Sequence, residues 1–129
     1  MSPERRRTIA YWAATALLEF EFILGGIWDV LRVQHVRDAV DRLGYPEYFL
    51  TILGIWKLLG SIALIIPRFP RLKEWTYAGA IFNFTSAIAS HLTAGFIDVG
   101  ALIYLVMMTG VTFASWALRP PSRRNFHGD

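Results

Sequence analysis

Apolar positions gather into four runs along the chain. They extend from Ile9 to Leu31, from about Tyr48 to Ile66, from about Trp75 to Thr93, and from Val99 to Leu118. Each approaches the roughly 20 residues that carry a helix across a bilayer core. Lipid offers no partners to an open backbone, so a helix is the form expected of each run. Breakers mark the gaps. Gly44 and Pro46 stand in "RLGYP", two prolines in "PRFPRLKEW", a tight "TAGFID" joins the last two runs, and "RPPSRR" ends the fourth. In the first gap, "VQHVRDAVDRLGYP" sets Val33, Val36, Val40 and Leu43 at helical spacing. That spacing predicts a short amphipathic helix at the membrane interface, with a solvated loop as the alternative. The fold expected is all-α: a bundle of four transmembrane helices, about 9–31, 48–66, 75–93 and 99–118, forming one domain over 1–129.

Composition agrees with this pattern. The 129 residues are 54% hydrophobic and only 18% charged, against about 25% charged in an ordinary soluble domain. The mean hydropathy is +0.38. No cysteine is present, which removes disulfides, thiolate catalysis and cysteine-held metals. A net charge of +3 could suggest nucleic acid, but the basic residues sit in short clusters between apolar runs, where they read as topology signals. The opening "MSPERRR" resembles the start of a signal peptide. The apolar stretch behind it is too long for one and lacks a small-residue cleavage site, so it reads as a retained first span.

Lysine and arginine counts predict an orientation. Arg5, Arg6, Arg7, Arg68, Arg71, Lys73, Arg119, Arg123 and Arg124 share one side, and Arg32, Arg37 and Arg42 the other. Both termini are then expected in the cytoplasm, with Trp12, Trp75 and Trp116 in an interfacial belt.

Polar residues inside the runs each need an account, because a charge at the bilayer centre costs about 2.5–3.5 kcal/mol on insertion scales. Glu19, Glu21, Lys57 and Asn83 fall at one depth, and Ser86 and Ser90 continue the Asn83 stripe. These six are the candidate ligand-binding or polar cluster. Asp29, His91 and Asp98 fall nearer the opposite face and form a second candidate cluster. Glu19 and Glu21 are two residues apart, about 200° around a helix, so they point to nearly opposite sides. One of them can pair with Lys57, and spacing does not say which. Plainer accounts stand beside these. Lys57 with a glutamate can be a structural pair that sets helix register, Asn83 an interhelical hydrogen-bonding group, and His91 a hydrogen-bonded interfacial residue instead of a metal ligand. No metal set is expected.

Catalytic signatures are missing. The chain holds no phosphate-binding loop, no dinucleotide fingerprint, no zinc-protease pair and no nucleophile elbow. His35 and His127 lie outside the apolar runs, so two histidines cannot face each other across a haem.

The segment Leu43 to Leu92, with Gly44-Tyr45-Pro46, "GIWKLLG" around Lys57, "PRLKEW" with Glu74, and Ser90-His91, closely resembles the DoxX-like family of small bacterial membrane proteins. Asp29 before Val30-Leu31 and the tail "SWALRPPSRR" fit the same pattern. The resemblance implies two departures. Family members often carry an acid where this chain has Asn83, and apolar residues where it has Glu19 and Glu21. The counter-charge of Lys57 is thus expected to have moved from the third apolar run to the first.

Three functions follow as expectations. One is an accessory or small-ligand-binding membrane protein that holds a lipid- or quinone-like molecule among its helices. Another, implied by the resemblance, is a subunit of a quinone-linked membrane oxidoreductase. The third is an oligomeric, proton-coupled transporter built around midplane charges. No cofactor ligands are visible in the sequence, although a quinone is compatible with it. The partners expected are the lipid bilayer and either further copies of the chain or a partner subunit, and no nucleic acid.

Overall fold

A computed structural model of the chain describes residues 2–124, without the side chains of residues 122 and 124. His127 lies outside these residues. Among them the chain is all helix, in the order α1 (Pro3–Leu31), α2 (Gln34–Leu43), α3 (Tyr48–Ile65), α4 (Pro70–Ala94), α5 (Val99–Ala117) and a single turn, α6 (Pro121–Arg124).

Local chemistry explains where the helices begin and end. The Ser2 hydroxyl accepts from Arg5 N and Pro3 opens the helix, so α1 starts six residues ahead of its apolar run. Asp98 caps α5 by accepting from Ala101 N at 3.2 Å. Gly44 (φ 85°) closes α2 and Gly95 (φ 74°) closes α4, both in the left-handed conformation that glycine adopts without strain. The amphipathic stretch of the first gap is α2, which lays Val36, Val40 and Leu43 inward, with Val40 buried, and packs against α3 and α4.

The four-transmembrane-helix bundle expected above is not what forms. Among the described residues only α3 and α5 are long and apolar enough to cross a membrane. The other two apolar runs carry too many polar residues. Helix α1 opens on Glu4, Arg5, Arg6 and Arg7 and carries Glu19, Glu21 and Asp29. Helix α4 opens on Arg71, Lys73 and Glu74 and carries Asn83, Ser86, Ser90 and His91. The predicted orientation, with both termini cytoplasmic, rested on four crossings and falls with them.

Helices α3 and α5 are not the core of a water-soluble fold. Only 28% of the apolar stretch of α3 and 17% of that of α5 are buried. Ile52, Ile55, Trp56, Leu59 and Ile62 on α3, and Ile103, Val106 and Phe113 on α5, face outward. Exposed apolar surface on that scale calls for a lipid or protein cover.

Inside, Leu18 and Phe22 of α1, Leu64 of α3, Tyr77, Ala80 and Phe84 of α4, and Met108 of α5 make one core. A buried polar layer accompanies it. Ser115 Oγ lies 2.7 Å from both Thr15 Oγ1 and Tyr77 Oη. Helix α1 packs against α3 and α5, and α5 against α4, whereas α3 and α4 meet over little of their length.

One end of the molecule is basic and its cations are at work. The last carbonyls of α3 lack helical partners, and distant residues satisfy them. Arg123 donates to Leu64 O at 2.9 Å and Ile65 O at 3.1 Å, and the fully buried Lys73 donates to Ile66 O and Arg68 O. Lys73 thereby holds a turn in which Arg68 (φ 69°) and Phe69 (φ 53°) both take the left-handed conformation. Arg119 pairs with Glu74 at 2.7 Å, and Trp116 Nε1 donates to the same carboxylate.

Candidate functional site

Helix α3 has two faces with different neighbours. Against α1 it presents Gly54, whose absent Cβ would stand 2.7 Å from the Gly26 carbonyl oxygen and 2.8 Å from Val30 N. Two glycines therefore let the α1 and α3 backbones touch, as small residues do in close membrane-helix contacts.

That close approach places Lys57 across α1. Its Nζ lies 3.1 Å from Glu21 Oε2 and 3.1 Å from Asp29 Oδ2. Glu21, Gly25 and Asp29 follow at intervals of four, on one stripe of α1. Gly25 makes the bridge possible: a Cβ there would stand 2.8 Å from the Glu21 carboxylate and 3.2 Å from the ammonium. Tyr104 of α5 completes the cluster by donating to Glu21 Oε1 at 2.8 Å. One cation thus faces two carboxylates, with a phenol on the outer oxygen. All three charged side chains are largely withdrawn from the surface, Asp29 most of all.

Glu19 takes the other direction. Ser61, one turn beyond Lys57 on α3, donates to Glu19 Oε2 at 2.6 Å. The Glu19 Oε1 is buried and has no hydrogen-bond partner among the described residues. The alternative left open by the sequence is therefore resolved in the geometry: Glu21 meets Lys57, and Glu19 meets a serine.

The remaining candidates disperse. Ser86 is exposed on α4. Ser90 Oγ lies 2.6 Å from Tyr45 Oη. His91 is buried, its Nδ1 donates to Ala87 O at 2.8 Å, and its ring stacks on Phe96. Asp98 is the α5 cap. Asp29 joins neither His91 nor Asp98 but the Lys57 cluster. Among the described residues no group of three His, Asp or Glu side chains is placed to hold a metal. Sequence reasoning missed Tyr104, although a tyrosine inside an apolar run was a signal, and it misplaced Asp29, although the Glu21-Gly25-Asp29 spacing was readable.

The opposite face of α3 is open. Between α3 and α4 lies a cavity of about 610 Å³, within the size range of small-molecule sites. Its walls are almost wholly apolar, with Trp56 from α3 and Trp75 from α4, and its floor is Phe22 of α1. Gly79 of α4 opens it further, since a Cβ there would meet nothing within 4 Å. Lys57 and Asn83 line the same cavity toward one end. Asn83 is half-buried and its amide makes no hydrogen bond among the described residues.

The sequence profile of one family, described as DoxX-like, matches residues 13–115. The chain belongs to the DoxX-like family. The matched region takes in α2, α3 and α4 whole, most of α1 and α5, and every residue of the Lys57 cluster and the crevice. No curated protein and no solved structure matches this DoxX-like chain. Family membership and the outward-facing apolar helices place it in association with a bacterial membrane.

Proposed function

We propose that this DoxX-like chain is an inner-membrane protein that binds a small lipid- or quinone-like molecule in the α3–α4 crevice, on its own account or as the accessory subunit of a larger assembly. The observation that carries this reading is the crevice itself. It is an apolar slot of ligand size, it opens on the side where α3 faces outward, and it has polar groups at one end. A molecule dissolved in the bilayer reaches such a slot without crossing water. The Lys57, Glu21 and Asp29 cluster supports the reading as a rigid backstop: three side chains from two helices hold each other, so the α3 wall keeps its shape whether or not the slot is filled. The continuous core through α1, α3, α4 and α5 supports treating the chain as one domain.

The test is purification in a mild detergent followed by native mass spectrometry. One amphiphile per chain is expected to survive release from the micelle, and to be absent when Gly79→Leu fills the slot. An unliganded wild-type chain, after reconstitution with a total lipid extract, overturns the proposal. The masses recorded also report whether copies of the chain or another subunit accompany it.

A further inference from the structure

The chemistry at the polar end of the crevice selects among amphiphiles. Lys57 carries three N–H donors, and two are engaged by Glu21 and Asp29. One donor is left. Asn83 lines the same cavity with an amide that has no hydrogen-bond partner among the described residues, although a polar group withdrawn from water costs free energy until it is paired. The Asn83 amide offers a donor to an oxygen and its carbonyl an acceptor for a hydroxyl, in a cavity that Lys57 also lines. Along the rest of its length the crevice is apolar. The lining from α3 runs from Leu53 to Ile66, thirteen residues at about 1.5 Å each, so the slot is roughly 20 Å long, with about 14 Å of it beyond Lys57.

Charge decides the kind of head. The cluster behind Lys57 contains two carboxylates and one ammonium, and a third carboxyl, Glu19, sits one turn away against Ser61. A carboxylate- or phosphate-headed lipid would bring another negative charge into a site already short of positive charge. In a medium of low dielectric constant that repulsion is weakly screened.

Resting on the reading that the crevice is a ligand site, we propose that it selects single-chain amphiphiles with a neutral oxygen head, a hydroxyl or an uncharged carbonyl, and discriminates against the carboxylate of the same chain length. Asn83 is the specificity-determining residue, and Gly79 admits the chain.

Trp56 and Trp75 line the slot, so a bromine-tipped straight-chain alcohol reports its own entry by quenching tryptophan fluorescence. The full-length protein in nonionic detergent at neutral pH is titrated with that alcohol and with the matching carboxylic acid. Expected is saturable quenching by the alcohol, with the acid roughly tenfold weaker or more. Asn83→Leu should weaken the alcohol by roughly three- to tenfold and leave the acid where it was, so that the discrimination between the two narrows. Gly79→Leu should abolish the saturable component, whereas Gly110→Leu on α5, where a Cβ likewise meets nothing within 4 Å, should leave it intact. Equal affinities for alcohol and acid, or an alcohol affinity unchanged in Asn83→Leu, overturn the head assignment and leave the crevice standing as a site. Saturable quenching that persists in Gly79→Leu, or none in the wild type, overturns the crevice itself.

Discussion

The two sides of α3 solve opposite problems with the same residue type. Toward α1, Gly26 and Gly54 remove side chains so that backbones meet, and every nearby polar group finds a partner across the seam except Glu19 Oε1. Toward α4, Gly79 removes a side chain and nothing moves in to fill the space, although Gly60 on the facing helix is abutted by Phe22 and Thr76. Glycine in a membrane-facing helix is therefore not a packing signal by itself. The outcome depends on whether the neighbouring helix approaches, and here the ion cluster supplies the reason for α1 to approach α3.

The sharpest way to break this contrast is to remove the shared cation. Lys57→Met leaves Glu21 and Asp29 facing each other without compensation, and the loss expected is about 3–5 kcal/mol in unfolding from nonionic detergent. Adding Glu21→Gln to Lys57→Met should recover part of that loss. A double-mutant cycle should give a Glu21–Lys57 coupling within about 0.5–3 kcal/mol, and a Glu19–Lys57 coupling below about 0.5 kcal/mol. Equal coupling for the two glutamates would contradict the geometry.

Next in size is Gly54→Ala. Its new methyl meets α1 backbone, which cannot rotate away, so a loss of about 3 kcal/mol is expected. A smaller effect belongs to Tyr104→Phe, which strips one hydrogen bond from Glu21 and should cost about 1–2 kcal/mol. The smallest is on the open side. Gly79→Ala adds a methyl to empty space and should raise stability slightly, by up to about 1 kcal/mol through helix propensity. If Gly79→Ala proved as damaging as Gly54→Ala in the same unfolding assay, the crevice would not be open.

Much of the helical framework could be read from the chain. The breaks at Gly44-Tyr45-Pro46, Pro67 to Pro70 and Gly95 lie where the helices end, and α2 follows from its valine spacing. The number of membrane-length helices was misjudged, because apolar runs in α1 and α4 look continuous until their charges are weighed. The site was legible only as a set of residues. Opposed directions for Glu19 and Glu21 follow from helix geometry, yet their partners, Ser61 and Lys57, do not. Arg119, Arg123 and Lys73 were read as orientation signals, but the structure uses them to pair Glu74 and to close the end of α3.

What the sequence determined alone is local. Helix type, helix ends and the angular position of each polar residue follow from periodicity over a few turns and from the stereochemistry of proline and glycine. Which carboxylate meets Lys57, why Asp29 leaves its expected companions, and why one glycine-bearing face closes while the other stays open were decided by tertiary structure. Those outcomes depend on where two helix axes cross. The crossing is set by the Gly26–Gly54 backbone contact together with the charges that lock it, residues far apart in the chain whose meeting no local pattern encodes.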